Sequence, residues 1–165
     1  MFYGVTRETQ IIEMVRDVCE ALSANTKREG TEMTVGTICA ETGLGNARDK
    51  FEREGRGLTQ FDEVRFNDVR KYICERRPEL RELILERFGI DFAKIGFSLI
   101  IDYSPVVSII LCRVSYMMVP ERLPACGDVR AQAKYWKKYH NTSAGKGTPE
   151  HYMRMWNRYA ADMRI

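Results

Sequence analysis

One segment of the chain, residues 106–118, is apolar on nearly every side when it is drawn as a helix. Ser104 and Pro105 precede it, and this pair favours a helix start, with the serine as N-cap and the proline in the first turn. Pro120 and Pro124 follow it and end the helix. A helix without a polar face is stable in water only where other elements cover it. The segment therefore predicts a central, buried helix around which the remaining chain packs.

The rest of the sequence supplies the helices that could form this cover. Apolar residues recur with the 3.6-residue period of a helix, and capping residues, glycines and prolines mark the ends of the segments. The predicted helices span residues 6–22, 34–42, 61–73, 78–88, 106–118, 129–139 and 149–163. Residues 23–33 are polar and predict a turn, and residues 46–57 predict a small hairpin or loop insert after the second helix. We therefore expect one mainly α domain over residues 1–165, with about seven helices.

Charge and cysteine patterns disfavour several classes of protein. Charged residues occur early in the N-terminal segment, which is unlike a signal peptide. The most apolar stretch, residues 95–119, is interrupted by Asp102, Pro105 and Arg113, so it predicts a core element rather than a membrane span. The five cysteines are widely spaced and form no Cys-x-x-Cys pair. Buried free thiols are expected, although the odd number leaves room for a disulfide between chains, and no metal or cofactor is predicted.

Basic residues concentrate in the C-terminal part of the chain. Residues 130–165 contain eight lysines and arginines against two acidic residues. Such an imbalance suits a polyanionic partner, such as a nucleic acid, a cell wall or an acidic protein, but it is also typical of a solvated helix face. No recognised nucleic-acid-binding motif accompanies it, so specific binding of nucleic acid is the least favoured of these partners.

Glu41 lies in the last turn of the second predicted helix, within the sequence Glu-Thr-Gly. With 3.6 residues per turn it lies about 60° around the helix from Ile38, at the border of the apolar stripe. Partial burial raises the pKa of a carboxyl group because it disfavours the charged form, and the C-terminal end of a helix dipole acts in the same direction. A general acid that protonates a glycosidic oxygen near neutral pH needs such a shift. Taken alone, the segment is more typical of a surface glutamate before a glycine cap.

Residues 54–62 carry side chains that can bind sugars. Gly55 and Gly57 allow a sharp turn or a close approach of the backbone to a ligand. Thr59 and Gln60 offer hydroxyl and amide groups to sugar hydroxyls and N-acetyl groups. A structural turn is the alternative interpretation.

Residues 135–142 place aromatic rings beside amide and hydroxyl side chains, a combination that carbohydrate clefts use, and Tyr139 and Asn141 belong to this segment. Residues 145–149, Gly-Lys-Gly-Thr-Pro, lack the preceding strand and the spacing of a phosphate-binding loop, so they predict the start of the last helix. An aromatic core helix followed by a turn is the alternative here.

In this order the three segments resemble the lysozyme-like superfamily. The order is a glutamate that ends a helix in Glu-Thr-Gly, then Gly-Arg-Gly-Leu-Thr-Gln at residues 55–60, then Tyr-His-Asn at residues 139–141. The resemblance covers residues 34–66 and 129–156 and is to the bacteriophage branch, with its lytic transglycosylases, endolysin-type muramidases and tail-associated wall-degrading proteins. It implies an α+β lysozyme-like fold dominated by helices, and cleavage of the β-1,4 glycosidic bonds of peptidoglycan glycan strands without a metal or cofactor.

The resemblance also implies roles for individual residues. Glu41 matches the catalytic general acid, and Gln60 matches a residue that lines the saccharide cleft, beside Thr59. Tyr139 and Asn141 match the late residues that surround the scissile sugar. The family has a tyrosine directly before the asparagine, whereas this sequence has His140 between Tyr139 and Asn141. Either Tyr139 or His140 can therefore correspond to the tyrosine of the family.

Two reactions remain open from the sequence. A hydrolase needs a second carboxylate, for which Glu54 is the first candidate, followed by Glu52 and Asp62. A lytic transglycosylase, as the resemblance implies, works with one glutamate that acts first as acid and then as base, while the 6-hydroxyl of the sugar attacks.

The same resemblance implies a location and partners. We expect a protein of the phage virion tail, or of the host cytoplasm before lysis, that acts on the bacterial cell wall. Its expected partners are peptidoglycan and other phage tail proteins. One alternative is an inactive structural component of the tail or baseplate that keeps the fold. Another is a nucleic-acid-binding helical domain, whose affinity would fall steeply with salt.

Overall fold

The segment predicted to lie at the centre forms a helix, Pro105–Met117, that is buried along most of its length. In the computed structural model, every residue from Val107 to Tyr116 is buried. The start is as predicted, because the Ser104 hydroxyl accepts from the backbone N–H of Val107 and Pro105 occupies the first turn. The mainly α fold is therefore confirmed, with this helix packed inside the others.

The structure describes residues 1–47, 55–98, 100–143, 145–163 and 165. Within these ranges the helices are α1 Glu8–Leu22, α2 Lys27–Thr42, α3 Glu63–Lys71, α4 Pro78–Phe88, α5 Ile100–Tyr103, α6 Pro105–Met117, α7 Val129–Trp136 and α8 Pro149–Tyr159. Short turns of other helix types occur at Ala24–Thr26, Tyr72–Arg76 and Lys137–Asn141. No helix in the described ranges is long and apolar enough to cross a membrane.

Helix α2 begins at Lys27, so the prediction of a turn through residues 23–33 is wrong. The polar composition of residues 23–33 suggested a turn, but Gly30 in this segment lies against the core. A Cβ on Gly30 would come within 2.7 Å of the buried Arg113 Nε. The Thr31 hydroxyl donates to the carbonyl of Lys27 at 2.6 Å and so does not compete with the helix. Packing against α6 therefore overrides the weak helix propensity of this segment.

Several other boundaries also differ from the predicted ones. Helix α3 starts at Glu63, where the Asp62 side chain accepts from the N–H of Arg65, and Val64 faces solvent rather than the core. Helix α8 ends at Tyr159, before the predicted end at residue 163. The predicted helix over residues 129–139 is α7 followed by a π-helical turn, Lys137–Asn141.

A minimal hairpin follows helix α2, in the place where an insert was predicted. The N–H and carbonyl groups of Arg56 and Phe61 exchange hydrogen bonds of 2.8 and 3.0 Å across a tight turn. The rest of the predicted insert, residues 48–54, lies outside the described residues. The described part of this insert thus contains one isolated pair of bridged residues rather than a sheet.

The hairpin is attached to the core through Asp102, a buried carboxylate in α5. It accepts from the backbone N–H of Gly57 and from the Arg56 guanidinium, both at 2.8 Å. Gly57 has a φ of +72°, and a Cβ there would lie 2.7 Å from the Ser108 Oγ. Only glycine fits this position without a shift in α6. Helices α5 and α6 therefore fix the hairpin.

The five cysteines are free thiols. Cys19, Cys39 and Cys112 are buried as predicted, whereas Cys74 and Cys126 are partly exposed. Burial raises the pKa of the Cys39 thiol to about 12, so this group behaves as a small apolar side chain.

Candidate active site

The three segments singled out in the sequence contribute to the walls of one open cleft. The cleft has a volume of about 930 Å³. It is lined by the end of α2, the hairpin, the π-helical turn after α7, the loop before α8 and the first turns of α8. The described lining residues are Ala40, Glu41, Ala47, Gly55, Gln60, Trp136, Asn141, Gly145, Lys146, Gly147, Thr148, His151 and Arg154. Glu41, Gln60 and Asn141, predicted from separate parts of the chain, therefore share one cleft.

Glu41 is the only acidic side chain in this described lining. Its side chain is 16% exposed, and its Oε1 accepts from the Trp136 indole N–H at 3.2 Å. Burial raises the pKa of Glu41 to about 7, while the Trp136 hydrogen bond and the positive charge of Arg65 act in the opposite direction. Desolvation therefore outweighs the hydrogen bond and the positive charge that favour the carboxylate.

The end of α2 holds Glu41 in place through Thr42 and Gly43. Gly43 has a φ of +54° and its N–H bonds to the carbonyl of Cys39, which terminates the helix. The buried Thr42 hydroxyl lies 3.1 Å from the carbonyl of Ile38 and 2.9 Å from that of Leu58 in the hairpin. Thr42 thus ties the acid-bearing helix end to the loop that carries Gln60.

His140, rather than Tyr139, is the residue of the late motif that lies beside Glu41. Its Nε2 is 3.6 Å from the Glu41 Oε1 and 3.0 Å from the carbonyl oxygen of Thr59. Burial, with a smaller effect from the charge of Arg65, lowers the pKa of His140 well below its usual value. The ring is therefore neutral, and Nε2 donates its hydrogen to Thr59 because a carbonyl can only accept. The buried Nδ1 has no partner among the described residues.

Tyr139, predicted from the resemblance to surround the scissile sugar, is not among the described lining residues of this cleft. Its hydroxyl donates to Glu121 at 2.5 Å, and its ring packs on Tyr135. Helical spacing explains the difference: Trp136 and His140 are four residues apart and face Glu41, whereas Tyr135 and Tyr139 form the adjacent stripe. Tyr139 instead borders a neighbouring depression of about 440 Å³.

The side chains of Gln60 and Asn141 line the cleft, and each is held in place by hydrogen bonds. Gln60 has a φ of +49°, and its amide Nε2 donates to the carbonyl of Gly57 at 2.7 Å. The Asn141 carbonyl oxygen accepts from Lys137 Nζ at 2.8 Å, and the same ammonium group donates to the carbonyl of Gly145. Both amides are therefore fixed at the cleft rather than free to rotate.

Thr59 is fully buried, which corrects its predicted contact with a sugar. Its hydroxyl is 3.0 Å from the Ser108 hydroxyl, and its N–H donates to the same oxygen at 3.2 Å. Adjacent residues in this tight turn face opposite sides, so Gln60 reaches the cleft and Thr59 reaches α6. Thr59 supports the hairpin and is not available to a substrate.

The predicted second carboxylates are not among the described cleft residues. Glu54 and Glu52 lie outside the described residues, although Gly55, the sequence neighbour of Glu54, lines the cleft. Asp62 caps α3 and borders the neighbouring depression instead.

Three residues that the sequence analysis missed also shape the site: Arg65, His151 and Arg154. The Arg65 guanidinium donates to the backbone carbonyls of Tyr139 and His140, which fixes the π-helical turn. His151 Nε2 lies 2.8 Å from the carbonyl oxygen of Ala40, immediately before Glu41. His151 and Arg154 are three residues apart on one face of α8, and this spacing was the available signal.

The hydrogen bond from His140 to the carbonyl of Thr59 gives a first prediction for this site. We expect His140→Phe to lower the free energy of unfolding by about 1–3 kcal/mol, because the buried carbonyl of Thr59 loses its donor. His140→Gln is the matched variant, since an amide N–H can replace the imidazole donor, and it should lose less. Urea denaturation of both proteins measures this difference. Equal losses would contradict the role of the Nε2–H donor.

In comparisons with known proteins, the chain matches no family model, no curated protein and no solved structure. A function is therefore proposed from the chemistry of the cleft together with the sequence resemblance.

Proposed function

We propose that this protein cleaves the β-1,4 glycosidic bonds of peptidoglycan glycan strands and that Glu41 is the general acid. The observation that carries the proposal is the Glu41 carboxyl group, which lies in an open cleft and whose pKa burial raises to about 7. A carboxyl group with this pKa keeps much of its proton near neutral pH and can deliver it to a glycosidic oxygen.

The surroundings of Glu41 suit a sugar chain. The cleft is open to solvent, and the amides of Gln60 and Asn141 line it and can bond to hydroxyl and N-acetyl groups. Trp136 is only 1% exposed, so its indole orients the Glu41 carboxyl and does not stack on a sugar ring. The resemblance to the lysozyme-like superfamily supports the same substrate, and a lysozyme-like fold is part of this proposal.

A single acid in the described lining of the cleft is compatible with the route of a lytic transglycosylase. In that route Glu41 first protonates the leaving oxygen and then, as a carboxylate, accepts the proton of the sugar's own 6-hydroxyl as it attacks. A hydrolase would use a second carboxylate, and Glu54 remains the prediction for that role. We further propose that the protein acts from a phage tail or at host lysis, with other tail proteins as partners.

Product analysis of digested peptidoglycan tests this proposal directly. We expect the purified protein to release soluble fragments from sacculi. New 1,6-anhydro ends would identify a lytic transglycosylase, and new reducing ends a hydrolase. If no glycosidic bond is broken, the proposal fails and an inactive structural role is favoured.

The pH dependence of cleavage gives a second prediction. The reactive form of the acid is protonated, so kcat/KM should fall about tenfold per pH unit above the pKa of Glu41, which burial raises to about 7. Cleavage rates measured at low substrate concentration from pH 5 to 9 check this. Circular dichroism over the same range separates loss of protonation from unfolding. A constant rate up to pH 9 would exclude Glu41 as the acid.

A further inference from the structure

Two cations in the cleft have no role in proton transfer: Lys146 and Arg154. Both line the cleft and both are exposed there. Within the described part of the chain, neither forms an ion pair with a carboxylate. Glu41 is the only acid in the described lining, so even its full negative charge would not balance the two cations. The exposed charge of the described cleft is therefore positive.

Arg154 is linked to the end of the helix that carries the acid. Its guanidinium Nη2 lies 3.1 Å from His151 Nδ1, and His151 Nε2 lies 2.8 Å from the carbonyl oxygen of Ala40. Since that carbonyl can only accept, Nε2 carries the hydrogen and Nδ1 accepts from the guanidinium. Ala40 immediately precedes Glu41, so one imidazole ring links the cation to the acid-bearing turn. Among the described residues the guanidinium forms no other hydrogen bond, so its remaining N–H groups are available to a ligand.

Lys146 belongs to a loop that lies directly on the same wall. A Cβ on Gly147 would meet the Trp136 ring at 2.5 Å and the Asn141 amide at 2.9 Å, so this loop approaches the π-helical turn as closely as glycine allows. The approach brings the loop against the indole that contacts Glu41. Lys146 and Arg154 are thus carried by two consecutive elements, this loop and α8, which both line the cleft that contains Glu41.

We propose that Lys146 and Arg154 form an oxyanion subsite that binds a carboxylate carried by the glycan strand, next to the bond that is cleaved. The inference rests on the proposed function and specifies its substrate. Peptidoglycan strands carry carboxylates on their lactyl and peptide substituents, whereas the related chitin strand is neutral. Arginine binds a carboxylate through two parallel N–H bonds, and lysine adds a second charge. The subsite would therefore select acidic glycan over neutral glycan.

The test compares two forms of one substrate. Peptidoglycan strands stripped of phosphate polymers are used as they are, and after their carboxylates have been converted to neutral amides. The variants are Lys146→Gln and Arg154→Gln, with Arg158→Gln as control, because Arg158 is exposed and stacks on Tyr159 outside the cleft lining. We expect each cleft variant to lose about tenfold in kcat/KM on the acidic strands, mainly through KM, and little on the amidated strands. The control should match the wild type on both.

Each outcome bears on the subsite separately from the glycosidase activity. Equal losses on acidic and amidated strands, or no loss on either, would overturn the subsite. Strands that retain their phosphate polymers are added as a third substrate, and an effect of the variants seen only there would assign the anion to phosphate and overturn the carboxylate. Binding of acidic and amidated strands to the Glu41→Gln protein, measured by tryptophan fluorescence, supplies a readout that needs no cleavage. Tighter binding of acidic strands that depends on Arg154 would support the subsite even if no bond is cleaved.

Discussion

Glu41→Gln should reduce the cleavage of peptidoglycan by about 10²- to 10⁴-fold, the contribution typical of a general acid. The amide has nearly the same shape and can still accept from the Trp136 indole, but it has no proton to deliver. Release of soluble fragments from sacculi, at equal protein concentration, measures the effect. Glu86→Gln on the exposed face of α4 is the matched control and should leave the rate unchanged.

The same substitution should make the protein more stable above neutral pH. The pKa of Glu41 is raised from 4.5 to about 7 in the folded state, so the stability that the protonated group provides is complete below pH 4.5 and is lost as the pH rises through 7. At pH 8 the wild type has lost this stability in full, which amounts to about 3 kcal/mol for a pKa shift of this size. Glutamine does not ionise, so Glu41→Gln avoids this loss. The free energy of unfolding of the variant should therefore exceed that of the wild type at pH 8 and differ little from it at pH 4.

Urea denaturation at these two pH values decides between two roles for Glu41. A variant that loses activity and gains stability at pH 8 indicates a carboxyl group kept for chemistry at a cost to the fold. Loss of both activity and stability would mean that the carboxyl group is structural, and unchanged clearing of the cell wall would rule it out as the acid.

Asp102→Ala has the second largest expected effect. It leaves the N–H of Gly57 and the guanidinium of Arg56 without their buried acceptor, and we expect the free energy of unfolding to fall by about 3 kcal/mol. Activity should fall as well, because the hairpin that carries Gln60 loses its attachment to α5. Glu79→Ala breaks an ion pair with Arg77 that is exposed to solvent, so it should lower the free energy of unfolding far less than Asp102→Ala does.

Denaturation curves and cleavage rates of both variants check this prediction. Asp102→Asn is the informative intermediate, since its amide oxygen can still accept from Gly57 while its charge is gone. If Asp102→Ala is as stable as Glu79→Ala, the hairpin is held by its other contacts, such as those of Thr59 with Ser108.

Local patterns were sufficient to predict α6 and the position of Glu41. Ser104 and Pro105 define the start of α6, its apolar sequence defines its burial, and Gly43 ends α2 just after Glu41. These features depend on neighbours within a few residues. The sequence could therefore place a carboxyl group at a helix end and at the edge of an apolar stripe.

What the sequence could not provide were contacts between distant segments. The polar residues 23–33 suggested a turn, because the close contact of Gly30 with Arg113 on another helix is not visible in the local sequence. The π-helical turn after α7 was also not predictable from local propensity. Helical spacing from the buried Trp136 could nevertheless have favoured His140 over Tyr139.

The conformation of the turn at residues 57–60 could not be predicted from the local sequence either. Gln60 adopts a left-handed backbone conformation that a glutamine rarely adopts, and this rotation decides that it, and not Thr59, faces the cleft. Contacts with residues far away in the sequence, such as the hydrogen bond from the N–H of Gly57 to Asp102, hold the turn in place.

The bonds that assemble the cleft are mostly of one kind: a side chain on one segment donates to a main-chain carbonyl on another. Thr42 bonds to Leu58, His140 to Thr59 and His151 to Ala40 in this way. Every amino acid presents the same carbonyl, so the accepting position can be substituted without loss of the bond, provided that its side chain still fits. In each of these contacts we therefore expect substitutions to be tolerated at the residue that supplies the carbonyl and not at the residue that supplies the donor. Replacing a donor side chain should disturb the geometry of the cleft.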